Sequence, residues 1–181
     1  MTLKRMERDR WIAGKARKEI HLTEEGLEAA YSVIRRHMLV EWLLVKILKI
    51  PLEQIHDEAH HIEHAISPTL EQQMREILLD PKLCPHGNPF PGHEELTRAW
   101  TPLTGVAVGE NLTIRRIHEF AEARRELIDF FVQHDIRPGT PARLLERLPF
   151  NQTLTLEIAG KRVILGYQAA QYVHVETDGD G

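Results

Sequence analysis

The sequence predicts an α+β protein whose helices come first and whose strands come last. Apolar residues recur at helical spacing as far as about residue 79, and Leu70, Met74, Ile77 and Leu78 form the last such stripe. A stiff loop over residues 84–92, with three prolines and two glycines, ends that pattern. After about residue 112, apolar and polar residues alternate in short runs, the period of half-buried strands. With 181 residues, 42% of them apolar, the chain can build the core of one medium domain or two small ones.

Residues 1–12 have helical spacing at Leu3, Met6 and Trp11, but no capping residue opens them, so they read as the tail of an element that begins upstream. The basic, turn-like residues 13–18 and the alternation of Glu19-Ile20-His21-Leu22 predict a small hairpin or wing. Thr23 is an N-cap, with Glu24 and Glu25 in the first turn where the helix dipole favours acids. The helix it opens is expected to run to about Lys49, and between Met38 and Leu48 it is apolar on almost every side, so it is buried or faces a second copy. Pro51 is expected to start a second helix, and Ser67-Pro68 to end it and start a third. Strands are predicted over residues 112–117, 142–145, 154–158, 163–165 and 172–175, interrupted by one helix over residues 123–134. Five short strands in this stretch suggest a small β-barrel, after which residues 177–181 are expected to fray.

The net charge of −4 and pI near 6.3 give no general attraction to nucleic acid, so any DNA contact depends on a local basic patch. The first eighteen residues hold one, in Lys4, Arg5, Arg8, Arg10, Lys15, Arg17 and Lys18. One cysteine excludes an internal disulfide and fits a reducing compartment. No run approaches the roughly 20 apolar residues of a membrane span, and a cytoplasmic location is expected.

Eleven histidines are unusual, and four fall within residues 56–64 together with three acids. On a helix, His56, His60, Glu63 and His64 share an arc of about 100°. Beside them run Ile55, Ala59, Ile62 and Ile66, placing the arc at the edge of a buried surface. On the preceding helix His37 and Glu41 are one turn apart, flanked by Ile34, Leu44, Val45 and Leu48. A buried carboxylate needs a partner, and a metal would serve. A single histidine on a polar face is ordinarily just solvated; this combination favours ligation, in a donor set that suits Mn, Fe, Co, Ni or Zn. Residues 60–64 also match H-x-x-E-H, the zinc pattern of inverzincins, which would make Glu63 a general base. Cys84 and His86, separated by Pro85, are held so that both can point at one ion, although a lone cysteine is more often a small buried apolar residue.

Arg36-His37 with Glu41, His56-Asp57-Glu58-Ala59, Glu63-His64 and the Cys84-Pro85-His86-Gly87-Asn88-Pro89-Phe90-Pro91-Gly92 loop, in this order, resemble the diphtheria-toxin-repressor family of metal-dependent transcription regulators, including its manganese-responsive branch. The resemblance implies three parts: residues 1–22 as the remnant of a winged helix-turn-helix, 23–92 as a helical dimerisation and metal-binding domain, and 103–176 as an SH3-like, FeoA-like barrel. It implies two ion sites. His60, Glu63 and His64 fall on the primary one, where iron-type members have cysteine and manganese-type members glutamate at the position of His60. His37, Glu41 and His56 fall on the ancillary one, which in members with the Cys-Pro-His loop uses Glu41, Cys84 and His86. A barrel acid joins it, here Glu122 or Glu126.

The expectation that follows is a Mn(II)- or Fe(II)-dependent repressor of metal-uptake genes, for which Zn(II), Co(II) or Ni(II) would be surrogates. It would act as a homodimer on a DNA operator, with neither membrane nor small-molecule substrate and no catalytic residue. Lys4, Arg5, Arg8, Lys15, Arg17 and Lys18 would touch phosphates, contacts that set affinity rather than sequence choice. Since the family's first helices have no counterpart here, the reading head is expected to be incomplete. The alternatives are a dimeric metal-binding protein that does not read DNA, and a zinc hydrolase built on His60, Glu63 and His64.

Overall fold

The computed structural model describes residues 3–13 and 20–178, in three parts that follow one another along the chain. The first is helix α1 (Leu3–Arg8) and a short antiparallel hairpin of β1 (Ile12–Ala13) and β2 (His21–Leu22). Lys4, Arg5 and Arg8 are exposed on α1, and Asp9 lies 3.6 Å from Arg5 and 3.0 Å from Arg8. Lys15, Arg17 and Lys18 lie outside the described residues. Backbone bonds fasten this part to the next: Thr23 N donates to Trp11 O at 3.1 Å, and the Thr23 hydroxyl to Arg10 O at 2.6 Å. Gly26 permits the approach, because a Cβ there would lie 2.0 Å from Trp11 O.

The second part is helical. Helix α2 (Glu24–Lys46) opens on Thr23, whose Oγ1 accepts from Gly26 N at 3.0 Å. It is followed by α3 (Ile55–Ile62), which tightens into a 3-10 turn over Glu63–Ala65, and by α4 (Pro68–Ile77), capped by Ser67. Their apolar faces close with Phe90 around Leu39, Val40, Leu44, Ile55, Ala59, Ile66 and Met74. Helix α2 stops short of the expected Lys49, which adopts a left-handed backbone (φ 59°) two residues before Pro51. Residues 51–54 form a turn rather than helix, with Gln54 N donating to Pro51 O, so α3 starts four residues later than expected. Ile34, Leu48 and Ile62 were expected to face inward; all three are exposed.

The third part contains β3 (Thr101–Pro102), β4 (Asn111–Ile117), α5 (Glu119–Glu122), α6 (Arg125–Gln133), β5 (Pro141–Leu148), β6 (Thr153–Ile158), β7 (Lys161–Gly166), α7 (Tyr167–Ala170) and β8 (Val173–Thr177). The strands form one antiparallel sheet in the order β3-β8-β4-β5-β6-β7. Irregularities in register between Ile114 and Arg116 and between Leu144 and Glu146 bend it, as bulges do. Alternate residues of the strands, among them Leu112, Ile114, Leu144, Leu154, Leu156 and Val175, pack with Ile128 and Phe131 of α6 into a second core. The helix expected over residues 123–134 is α6; the short α5 precedes it, separated by Ala123 and Arg124, and the Arg124 backbone is not helical. Strand β3 and helices α5 and α7 were not anticipated, since two and four residues are too short to carry a period.

Leu156 is fully buried in the second core. Leu156→Ala is expected to lower the free energy of unfolding by about 2–5 kcal/mol, read from urea denaturation followed by circular dichroism.

Candidate metal centre

Helix α2 sets His37 and Glu41 one turn apart, and Glu41 is 1% exposed. Helix α3 lies across it and brings up His56, His60 and, in the 3-10 turn, Glu63. The loop over residues 84–92 is pinned to α2 by Trp42, whose Nε1 donates to Leu83 O at 2.7 Å. Within it, Cys84 N donates to Asn88 O at 2.8 Å and Gly87 N to Cys84 O at 2.9 Å, forming a tight turn in which Cys84 and His86 are both buried. Gly87 has φ 86°, and a Cβ there would stand 2.1 Å from Arg115 O, so strand β4 comes this close only to a glycine. Ile117 N donates to His86 O at 2.8 Å, and α5, directly after β4, delivers the buried Glu122.

These elements gather an inner cluster around Glu41. Its Oε1 lies 3.3 Å from His37 Nε2, 3.6 Å from His86 Nδ1 and 3.7 Å from His56 Nδ1. Glu122 stands opposite, with Oε2 3.1 Å from His56 Nδ1 and Oε1 3.5 Å from His86 Nδ1. The donor atoms of His37, Glu41, His56 and Glu122 lie within 4.8 Å of one another, and so do those of Glu41, Cys84 and His86. Both oxygens of Glu41 and both ring nitrogens of His86 are buried without a hydrogen-bond partner among the described residues. Buried polar atoms are rarely left so. The donor set fits a first-row divalent ion: imidazoles, carboxylates and a thiol, spaced so that bonds of about 2.0–2.3 Å from one centre would reach several at once.

An outer cluster shares His37. Its Nδ1 is 2.6 Å from Glu63 Oε2, while Glu63 Oε1 lies 3.2 Å from His60 Nδ1 and 3.4 Å from His64 Nε2. Glu63 is buried; His60 and His64 are exposed. His61 turns away and bonds Asp57 O through Nδ1 at 2.7 Å. The clusters line a cleft of about 590 Å³ between the helical part and the sheet.

Of the two barrel acids named from the sequence, the structure brings only Glu122 to the cluster. Glu126 is exposed on α6, in a separate cleft with Arg124, Arg125 and Gln168, because the break at Arg124 starts a new helix axis between the two acids. Asn88 and Arg116, which line the same cleft, were not singled out from the sequence; neither residue type nor spacing marks them.

The carboxylates and imidazoles of the inner cluster are electrostatically coupled. Burial works against charge on Glu41, yet the imidazoles of His37, His56 and His86 hold its carboxyl well below the usual range. Glu122 and then Glu41 push His56 up to about 10. Burial opposes protonation of His37 and His86, but the carboxylates, Glu41 first, raise both. The Cys84 thiol is pushed well above its ordinary value by burial, with Glu41 and Glu122 adding to the effect. Without an ion these groups hold protons that a divalent cation would displace.

A helical unit with two shared donor clusters, docked on a coiled antiparallel sheet, is the architecture of a known class of regulator. Residues 23–92 match the family described as "Iron dependent repressor, metal binding and dimerisation domain", and residues 101–177 match the FeoA domain. The diphtheria toxin repressor of Corynebacterium diphtheriae is 30% identical over 184 residues, covering 97% of this chain and 80% of the relative. The iron-dependent repressor IdeR of Mycobacterium leprae is 38% identical over 188 residues, again covering 97% and 80%. Among solved structures, a manganese-dependent transcriptional repressor in complex with manganese aligns with a TM-score of 0.81 and 29% identity, covering 97% of this chain and 81% of that one. ScaR with bound Zn2+ aligns with a TM-score of 0.76 and 25% identity, covering 97% and 87%. The chain belongs to the diphtheria-toxin-repressor family, with a helical iron-dependent-repressor domain followed by an SH3-like FeoA domain. Among the described residues, no helix is long and apolar enough to cross a membrane.

A group whose folded-state pKa is raised stabilises the fold fully below its unfolded value and loses that contribution as pH rises through the folded one. For His56 the window runs from the ordinary 6.5 to about 10. Chelator-treated protein is therefore expected to melt at progressively lower temperature as pH rises through this window, while affinity for Mn(II) rises as protons cease to compete. A melting temperature that does not fall across the window would contradict this.

Proposed function

We propose that the chain is a metal-dependent transcriptional repressor that binds Mn(II) or Fe(II) and acts as a homodimer on a DNA operator, with Zn(II), Co(II) and Ni(II) as surrogate ligands. In this reading Glu41, His56, Cys84, His86 and Glu122 form an inner ion site, and His60, Glu63 and His64 an outer one. His37 stands between them.

The observation that carries the reading is the inner cluster's composition by element. Glu41 comes from α2, His56 from α3, Cys84 and His86 from the loop, and Glu122 from the sheet domain. A divalent ion there would supply positive charge to two buried carboxylates. Donors from four segments can meet it only when the helical domain and the sheet domain are docked, so affinity for the ion becomes preference for one domain arrangement. Exposed Ile47 and Leu48 beyond α2, with Ile77 and Leu79 at the end of α4, support a dimer, since they leave apolar surface on the helical domain for a second copy to cover.

The relatives are repressors rather than enzymes by name. In the H-x-x-E-H pattern, Glu63 pairs with His37 through Oε2 and lies beside His60 and His64 through Oε1, a position in which it serves the outer ion site of this reading.

The test is binding of the full-length protein to the operator DNA of a related repressor, measured by fluorescence anisotropy. Affinity is expected to rise at least about tenfold on adding Mn(II) or Fe(II) and to return to its starting value with chelator, a coupling of the size usual in allostery. Equal affinity with and without metal would refute the proposal.

A further inference from the structure

Resting on the metal-binding reading above, we propose that Asn88 is a positioning residue whose buried amide aims the Glu122 carboxylate at the inner site. Asn88 is 2% exposed. Its Nδ2 donates to Glu122 Oε1 at 2.5 Å and to Ile117 O at 2.8 Å, and its Oδ1 accepts from Arg116 Nε at 2.5 Å. Both amide donors are thereby used.

Arg116 decides which way the amide faces. A guanidinium only donates and an ionised carboxylate only accepts. Turning the amide over would set its oxygen against Glu122 and the Ile117 carbonyl and its NH2 group against Arg116, losing three hydrogen bonds and creating three repulsions. Arg116 is itself held, since its second nitrogen donates to Glu119 Oε2 at 2.7 Å. The result at the site is specific. Glu122 Oε1 is occupied by the amide, and Oε2 is left facing His56 Nδ1 at 3.1 Å.

Asn88 thus acts through Glu122 rather than on the ion. It belongs to the loop that carries Cys84 and His86, while Ile117 O belongs to β4. One amide therefore fixes loop, strand and carboxylate in a single register. Partners of this kind, which orient a ligand from behind, typically matter 10–100-fold to affinity.

The probe is Co(II), titrated calorimetrically into the metal-free chain while the thiolate-to-cobalt absorption band reports occupancy beside Cys84. Asn88→Ala is expected to weaken the event that carries the band by roughly 10–100-fold and to leave the band-free binding at His60, Glu63 and His64 unchanged. In a Glu122→Gln background the same substitution should cost little more, because its route to the ion is already cut. Unchanged affinity in Asn88→Ala, or an equal loss in both backgrounds, would overturn the proposal. Should Asn88→Ala fail to fold, Arg116→Met is taken through the same cycle, and a loss that persists in the Glu122→Gln background overturns it equally. Wild-type protein that binds no Co(II) would refute the metal-binding reading itself, and this role with it.

Discussion

Glu41 sits in the middle of a 23-residue helix, almost wholly removed from water, with neither carboxylate oxygen hydrogen-bonded. A buried carboxylate without a partner costs several kcal/mol, and a chain that keeps one must offset the cost nearby. Here the offset comes from positive charge. Three imidazoles from three different segments converge on Oε1 at 3.3–3.7 Å, and a second carboxylate faces them from across the cleft. Protons shared among these groups balance the charge in part; a divalent ion would balance it more fully. The loop that must bring in Cys84 and His86 is correspondingly constrained, by a tryptophan bond at its start and by a glycine where β4 crosses it.

Much of this was legible in the sequence, for physical reasons that also explain what was not. His37 and Glu41 are four residues apart, and on any helix that makes them neighbours. The inward direction was read from the apolar residues around them, which was correct for Leu44 and wrong for Ile34 and Leu48, because nearly all of that stretch is apolar and the pattern has no clean edge. The histidine arc assumed one uniform helix. The chain tightens at Glu63 into a 3-10 turn in which Glu63 is buried and His64 exposed, while His60, still on α3, is exposed as well. Glu122 and Glu126 were both offered by the resemblance, and their spacing did not choose between them; the structure does, with Glu122 ending α5 and Glu126 on α6, which starts after the non-helical Arg124. The alternating strands were legible as a class, whereas the two-residue β3 and the four-residue α5 and α7 escaped.

His37 gives the two clusters a common member. One of its nitrogens lies toward Glu63 and the other toward Glu41, so the ring's tautomer and orientation are set from both sides at once. An ion that draws on His37 at one cluster changes the donor left to the other. The outer cluster is also the more open, with two of its imidazoles exposed, whereas the inner one is enclosed by the sheet domain. The inner cluster therefore meets the greater electrostatic need and supplies the fuller donor set, and it is where an ion bound by this chain is expected first.

The most direct test of that claim is anomalous X-ray scattering from crystals of the protein loaded with Mn(II) at one equivalent. The account predicts a peak among Glu41, His56, Cys84, His86 and Glu122, joining the helical domain to the sheet domain. A first ion found only at His60, Glu63 and His64, or no bound ion at all, would contradict it.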